Sequence, residues 1–264
     1  MFTVSVLKFK LISKSNKMRI KRFTAIMILL LSFSCQNRQV APTSPESITS
    51  NTDKNGSELA VSFYRGTEHN HPTFAIWVED LQGNFIETLF VTEYVATGVY
   101  GHADLGDEKW DNKPGEAQRP ATLPYWLHKK GPLGDDEQIV PSPENPMPDA
   151  ISGATPKGDF KLRTLATGQL PDKFRVLMEI NQPWDWNEYW HNNRYPDNAE
   201  YKTSCQPALV YAVRVDENEK GREYFLNPIG HSHYDGSTGE LFTDITTLTT
   251  AKDIVHKVSV TIEE

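Results

Sequence analysis

The sequence is poor in cysteine, with two residues among 264, Cys35 and Cys205. They stand far apart, so the chain has no C-x-x-C motif of the kind that carries out redox chemistry or binds zinc. If Cys35 is modified, as argued below, Cys205 stands alone and no intramolecular disulfide can form. The sequence therefore predicts a fold that is held together by its apolar core.

Catalytic and nucleotide-binding signatures are also lacking. The chain contains no G-x-S-x-G, no H-E-x-x-H, no P-loop and no dinucleotide-binding fingerprint. Its acidic residues do not pair in a hydrolase pattern. A self-standing hydrolase is not expected, and a non-catalytic carrier or accessory protein is favoured over an enzyme.

Basic residues are scarce beyond the amino terminus. Residues 1–34 hold seven of the 27 Lys and Arg residues and none of the 35 Asp and Glu residues, so the formal net charge is −8 for the whole chain and −15 for residues 35–264. Affinity for nucleic acid comes largely from neutralising phosphates with basic side chains. We therefore expect no binding to nucleic acid.

The amino-terminal segment resembles a bacterial lipoprotein signal. An apolar run from Phe23 to Phe33, too short to span a bilayer, leads into Ser34 and Cys35. Cleavage before Cys35 and lipidation of its thiol would hold the mature chain at a membrane, inner or outer, in the periplasm. A plain secretory signal or a short anchor remains the alternative, and Met18 is a better start than Met1. Four basic residues precede the run: Lys17, Arg19, Lys21 and Arg22.

The composition predicts three parts. Residues 1–34 are the signal peptide, and residues 35–57, rich in Gln, Asn, Pro, Ser and Thr, are a flexible tether. Residues 58–264 are long enough for one domain with a sizeable core, and they show no internal repeat.

Short β-branched and aromatic runs predict an all-β domain, an antiparallel β-sandwich of the immunoglobulin-like type with long loop insertions. The second and third runs are separated by a turn and read as a hairpin. The predicted strands are 59–64, 74–78, 85–91, 160–165, 174–180, 208–215, 223–226 and 256–262.

Two segments, 101–156 and 182–207, look too irregular to contribute to the core, and we expect them to be long connections that carry the functional site. Within the first, residues 121–130 have the composition of a short helix that Pro124 would break.

Residues 149–156 resemble the D-x-x-[ST]-G-A-T sequence at which a bacterial flavin transferase esterifies FMN onto the last threonine, here Thr155. Small residues beside the hydroxyl would let a second active site approach closely, and Asp149 would orient the hydroxyl or a bridging metal. The alternative is a surface turn that enters a strand. The predicted acceptor loop comprises Asp149, Ser152, Gly153, Ala154 and Thr155.

Four segments together resemble the predicted periplasmic domain-of-unknown-function 2271 family: 74–91, 119–126, 149–156 and 206–212. The resemblance implies an immunoglobulin-like domain that is exported to the periplasm. It also implies two partners, a flavin transferase and a membrane flavin-type reductase that would supply electrons.

Two H-x-H pairs suggest a metal site. His69 and His71 form one pair and His231 and His233 the other. On a strand, alternate imidazoles share a face, and imidazole suits zinc and copper. Both pairs lie beside turn residues, so solvated loop histidines are the alternative.

The segment 184–191 holds three tryptophans, which is dense for a connection. Trp184 and Trp186 could form a platform on which a flavin ring, a quinone or a sugar stacks. Alternatively, their indoles fold over the open end of the sandwich and extend its core.

The sequence thus leaves two functional hypotheses. The first is a lipid-anchored periplasmic carrier in flavin-dependent electron transfer, with FMN held covalently on Thr155 and its properties tuned by the surrounding protein. The second is a binding or accessory module without a cofactor, whose aromatic and histidine loops hold a ligand, metal or partner.

Overall fold

The computed structural model describes residues 44–106, 109–133, 137–148 and 151–264. The predicted signal peptide, the predicted lipidation site Cys35 and the predicted acceptor-loop residue Asp149 lie outside these ranges. The described part from Ser44 to Glu264 forms one compact unit. None of its helices is both long enough and apolar enough to span a membrane.

Strands dominate the described ranges, and the all-β sandwich predicted from the sequence is confirmed. Numbered in chain order, the strands are β1 Glu46–Ser50, β2 Glu58–Arg65, β3 Thr73–Glu79, β4 Phe85–Thr92, β5 Val99–Tyr100, β6 Gly115–Glu116, β7 Ser152–Gly153, β8 Phe160–Leu165, β9 Lys173–Asn181, β10 Leu209–Asp216, β11 Glu223–Phe225, β12 Asn227–His231 and β13 Val255–Ile262. Each of the eight predicted strands is present within two residues of its expected ends.

Two main sheets face each other, and β5 and β6 form a small separate ribbon. The first sheet has the order β1-β8-β2-β13-β11 and the second has the order β12-β10-β9-β3-β4-β7. Pairing is antiparallel except at two edges, where β1 runs parallel to β8 and β7 runs parallel to β4. The hairpin expected for β3 and β4 is present.

The main core lies between the inner faces of the two sheets. Strand β13 buries Val258, Val260 and Ile262, as its alternation predicted. Rings of Phe63, Phe74 and Phe160 stack at this interface, with centroids 4.8 Å apart for Phe63 and Phe160. Such offset aromatic stacks add to the burial of apolar area that stabilises the sandwich.

A second apolar cluster covers the outer face of the second sheet, and it corrects the expectation that residues 101–156 stay out of the core. Trp77 and Leu177 point to this face and pack with Leu123, Trp126 and other side chains from that segment. Strand β3 is buried at all seven positions because both of its faces are covered. A continuous apolar run is the pattern of such a strand.

The described ranges contain three short α-helices, α1 Glu93–Thr97, α2 Pro124–Lys130 and α3 Ala199–Ser204, and one 3-10 helix, Thr250–Asp253. The expectation that Pro124 breaks a helix was wrong, since Pro124 is the first residue of α2. Proline is favoured there because the first helical N–H has no partner inside the helix and the ring fixes a helical φ.

The predicted tether is corrected as well. Residues 46–50 of that segment form β1, which pairs with β8, and Ile48 packs against the main core. The Ser50 hydroxyl donates to the Leu89 carbonyl at 2.9 Å. The folded unit therefore begins near Ser44 rather than at Glu58, because pairing at the sheet edge orders a segment of polar composition.

Candidate functional site

Two adjoining cavities open between the 101–119 segment and the 182–204 segment. The larger has a volume of about 320 Å³ and the smaller about 140 Å³. Trp184 lines both, so the two cavities form one cleft, and we name them the large chamber and the small chamber. The large chamber is lined by Asp104, Trp110, Trp184, Trp186, Glu200 and Lys202, among others. The small chamber is lined by His71, Tyr94, Tyr100, His102, Arg119 and Trp184, among others.

The aromatic loop that carries Trp184 and Trp186 is held by Asn187. The side-chain oxygen of Asn187 accepts hydrogen bonds from the backbone of Tyr189 and Trp190 at 2.8 and 2.7 Å, and its amide donates to the Thr247 carbonyl at 2.9 Å. Trp190 is buried, and its indole N–H donates to the Thr247 hydroxyl. Trp190 therefore belongs to the fold.

Trp184 and Trp186 behave differently from Trp190. They are 38 % and 54 % exposed, and both face the large chamber. The indoles therefore form walls of the cleft and are not folded over the core. The structure thus places them where a flat ligand could stack, as the platform hypothesis requires.

The backbone at Trp184 is strained. Trp184 has φ of 56° and Cys205 has φ of 66°, in a left-handed region that costs a bulky residue roughly 1 kcal/mol or more. The two strands of chain are joined by hydrogen bonds from Trp184 N to Thr203 O and from Asp185 N to Ser204 O, both 3.1 Å. Strain of this kind persists where the surrounding structure imposes it, and it concentrates at binding sites.

Arg119 is a charged residue enclosed by rings. It is 6 % exposed, and its guanidinium carbon lies 4.2 Å from the centroid of Tyr100 and 4.8 Å from that of Trp110. Its Nε atom is buried and has no hydrogen-bond partner among the described residues. Burial lowers the pKa of the guanidinium, and the nearby Tyr100, Asp104 and Glu200 partly offset this lowering.

Acidic groups line the large chamber. The Oε2 atom of Glu200 is buried and lacks a hydrogen-bond partner within the described part of the chain. Burial raises the pKa of Glu200, the carboxylates of Asp104 and Asp235 raise it further, and Arg119 lowers it. The small chamber therefore has the Arg119 cation, and the large chamber has two carboxyl groups together with the Lys202 ammonium.

The predicted flavin-acceptor loop lies elsewhere. Ser152 and Gly153 form β7, paired with Val91 and Thr92 at the sheet edge. Ala154 is exposed, whereas the Oγ1 atom of Thr155 is buried without a hydrogen-bond partner in the described structure. Neither chamber is lined by Thr155. In this conformation the hydroxyl is shielded from a second enzyme, so attachment of FMN would require residues 154–158 to turn outward.

The two histidines of each H-x-H pair have different neighbours. His69 packs against the ring of Phe63, and His71 lines the small chamber. His231 is buried against Phe242, and burial lowers its pKa. His233 contacts the Asp235 carboxylate at 2.7 Å. Across the described ranges, no three His, Cys, Asp or Glu side chains are grouped so that they could hold a metal ion.

Several cleft residues escaped the sequence analysis, namely Tyr100, Asp104, Trp110, Arg119 and Glu200. They come from segments of the sequence that show no hydrophobic periodicity, so no pattern linked them. The density of aromatic residues was the one available signal, and it identified Trp184 and Trp186 only.

Comparison with known proteins gives no match: no protein-family model, no curated protein and no solved structure is similar to this chain. The fold and the cleft define the class, an all-β sandwich with an aromatic cleft between its loops. The function must be argued from that cleft and from the sequence.

Proposed function

We propose that the protein is a small-molecule-binding module and that the cleft around Trp184 is its binding site. The observation that carries this proposal is that Trp184 lines both chambers while its backbone has a positive φ. The fold keeps a bulky residue in an unfavourable conformation at the centre of a concave, aromatic surface. Binding sites combine such concave apolar walls with a few polar groups.

The chemistry of the walls indicates a ligand with a flat ring. Trp110, Trp184 and Trp186 line the large chamber, and Asp104 and Glu200 line it beside them. A flavin, a quinone or a sugar stacks on an indole through one face and bonds polar groups at its edge. The volume of the large chamber, about 320 Å³, is at the lower end of ordinary ligand sites.

The proposed location is the periplasm, at a membrane to which lipidated Cys35 holds the chain. The lipoprotein-like signal and the resemblance to the domain-of-unknown-function 2271 family support this location. With a formal net charge of −15 from residue 35 onward, the mature chain would be repelled by anionic lipid, so a lipid anchor is the expected attachment.

Thermal unfolding with three probes tests the binding proposal on a chain from Gln36 onward, which keeps every described element. The probes are riboflavin, menadione and methyl β-glucoside. We expect at least one to raise Tm, and Trp186→Ala to remove that rise. Tyr189→Ala is the matched control, because Tyr189 is an exposed aromatic residue of the same loop that lines neither chamber. No rise with any probe, or equal loss in both variants, would contradict the proposal.

A second candidate function is the flavin carrier with FMN on Thr155. It is supported by the Ser152-Gly153-Ala154-Thr155 sequence and by the Thr155 hydroxyl, which has no hydrogen-bond partner in the described structure. A buried hydroxyl without a partner is unfavourable by about 1–3 kcal/mol, so a conformation that turns it outward costs less than usual. Partners of this carrier would be a flavin transferase and a membrane flavin-type reductase.

Intact mass and visible absorbance test this second candidate. The chain is co-expressed with a flavin transferase in the periplasm. The carrier hypothesis predicts an added mass of one FMN less water, about 440 Da, with a flavin spectrum that disappears in Thr155→Ala. An unmodified, colourless protein would leave residues 152–156 as a turn that enters a strand.

A further inference from the structure

We infer that the small chamber receives an anionic group of the ligand, a carboxylate or a phosphate, and that Arg119 binds it. This inference rests on the proposed function, because it concerns the same cleft. It adds the charge of the ligand and its orientation, with the anion in the small chamber and the ring in the large one.

The buried guanidinium of Arg119 is unfavourable for the fold when no ligand is bound. A buried charge without a paired opposite charge is strongly unfavourable, and the rings of Tyr100 and Trp110 return only part of that cost. No carboxylate of the described residues forms an ion pair with Arg119, although Asp104 and Glu200 act on it at longer range. A group that is kept buried and unpaired is explained if a ligand supplies the partner.

Arg175 provides a comparison within the same molecule. Its Nη1 atom lies 3.3 Å from Oε2 of Glu79, a carboxylate with no solvent exposure, so the fold supplies the opposite charge there. At Arg175 the fold itself supplies the opposite charge that Arg119 lacks among the described residues. Arg119 has instead a cavity of about 140 Å³ at its side.

The two chambers on either side of Trp184 have different charged side chains in their walls. Among its described lining residues the small chamber has no Asp or Glu, but it has His71, His102 and Asn181 beside Arg119. The carboxyl groups of Asp104 and Glu200 line the large chamber. An anion is therefore attracted to Arg119 in the small chamber, whereas the large chamber combines these two carboxyl groups with the Lys202 ammonium and has no net positive charge. This difference favours one direction for a ligand that bears an anion. Guanidinium matches carboxylate and phosphate through two parallel N–H donors.

The experiment compares acids with their amides, which share size and shape but differ in charge. The pairs are benzoate with benzamide and indole-3-acetate with indole-3-acetamide, and inorganic phosphate is added as a third anion. Tm is measured at constant ionic strength for the parent, Arg119→Met and Arg175→Met. A tenfold preference for an acid over its amide corresponds to a Tm difference of about 3 °C.

We expect an anion to raise Tm of the parent by at least that difference over its neutral counterpart. Arg119→Met is expected to lose the preference while its own Tm stays level or rises, since an unpaired buried charge is removed. Arg175→Met is expected to keep the preference and to lower Tm, because the buried Glu79 carboxylate loses the nearer of its two cationic partners and keeps only Lys129 at 3.9 Å.

The outcomes separate the inference from the function on which it rests. If amides raise Tm as much as acids, the cleft binds ligands and the role of Arg119 is refuted. If Arg119→Met lowers Tm as far as Arg175→Met does, Arg119 belongs to the fold and the inference is overturned. If neither acids, amides nor the three neutral probes raise Tm, both the inference and the binding proposal fail.

Discussion

Glu179 is a carboxylic acid without solvent exposure at the centre of the second sheet. It accepts the backbone N–H groups of Tyr125 and Trp126 at 3.2 and 2.7 Å, the first free donors of α2. Acidic groups at a helix amino terminus satisfy these donors and complement the helix dipole. This one side chain therefore fixes α2 on the outer face of the sheet, from which Leu123 and Trp126 build the second apolar cluster.

Replacing Glu179 by glutamine tests its state of protonation. Burial raises its pKa to about 8 from 4.5, against the opposing effect of the Trp126 and Tyr125 N–H groups. Between these values the folded protein holds a proton that the unfolded chain releases, so raising the pH destabilises the parent. Between pH 5 and pH 8, the free energy of unfolding should fall further in the parent than in Glu179→Gln. The difference between the two falls should exceed about 1 kcal/mol. Urea unfolding at both pH values measures this, and equal losses would mean that Glu179 is ionised throughout.

Gly153 gives a second prediction at the level of a residue. A Cβ atom placed there lies 3.1 Å from Cε2 of Phe90, whose ring is buried in the main core and would have to shift by a few tenths of an ångström. Gly153→Ala should therefore lower the free energy of unfolding by about 1 kcal/mol. Gly168→Ala is the control, since nothing lies within 4 Å of the added atom, and it should be neutral or slightly stabilising. Equal behaviour of the two variants would show that Gly153 is not there for packing.

Single residues of the site could be predicted in part. Trp184 and Trp186 were identified because aromatic density in a connection is visible in a sequence. Arg119 and Glu200 were not, because their significance comes from burial without a partner, and burial in an irregular segment leaves no periodic pattern. Trp190 belongs to the same aromatic segment but is buried and serves only packing. Aromatic density alone therefore does not distinguish it from the cleft residues.

At the level of elements, the aromatic loop is ordered by the bonds of Asn187 rather than by secondary structure. Asn187→Ala removes the acceptor for the Tyr189 and Trp190 N–H groups and the donor to Thr247. We expect the free energy of unfolding to fall by about 2 kcal/mol. Chemical denaturation checks this, with Asn193→Ala, an exposed neighbour, as the control that should stay within about 0.5 kcal/mol of the parent. A loss of similar size in both variants would contradict the role of Asn187.

The strands that could be predicted are those whose own side chains favour an extended, buried conformation. Runs such as 74–78 and 174–180 are rich in β-branched and aromatic residues, and most of their side chains are buried. Strand β1 was not predictable, and α2 was predicted only in outline as a short helix within residues 121–130, because long-range partners order both elements. Polar β1 pairs with β8, and α2 is held by Glu179 from a distant strand.

At the level of the whole molecule, the boundary of the folded unit can be tested. A chain that begins at Gly56 lacks β1 and leaves the edge of β8 unpaired. It also loses the contact of Ile48 with the core and the hydrogen bond from Ser50 to Leu89. Relative to a chain that begins at Ser44, we expect a free energy of unfolding lower by about 2 kcal/mol. Equal free energies of unfolding for the two chains would mean that residues 44–55 act only as a tether.

Fluorine NMR of the protein labelled with 5-fluorotryptophan gives a direct test of the small-molecule site around Trp184. The six tryptophans divide into three that line the large chamber, Trp110, Trp184 and Trp186, and three that are buried, Trp77, Trp126 and Trp190. Riboflavin, menadione and methyl β-glucoside are titrated in turn. The account predicts that at least one of them shifts the three cleft resonances and leaves the buried three in place. Resonances that do not move with any probe, or shifts confined to the buried tryptophans, would contradict it.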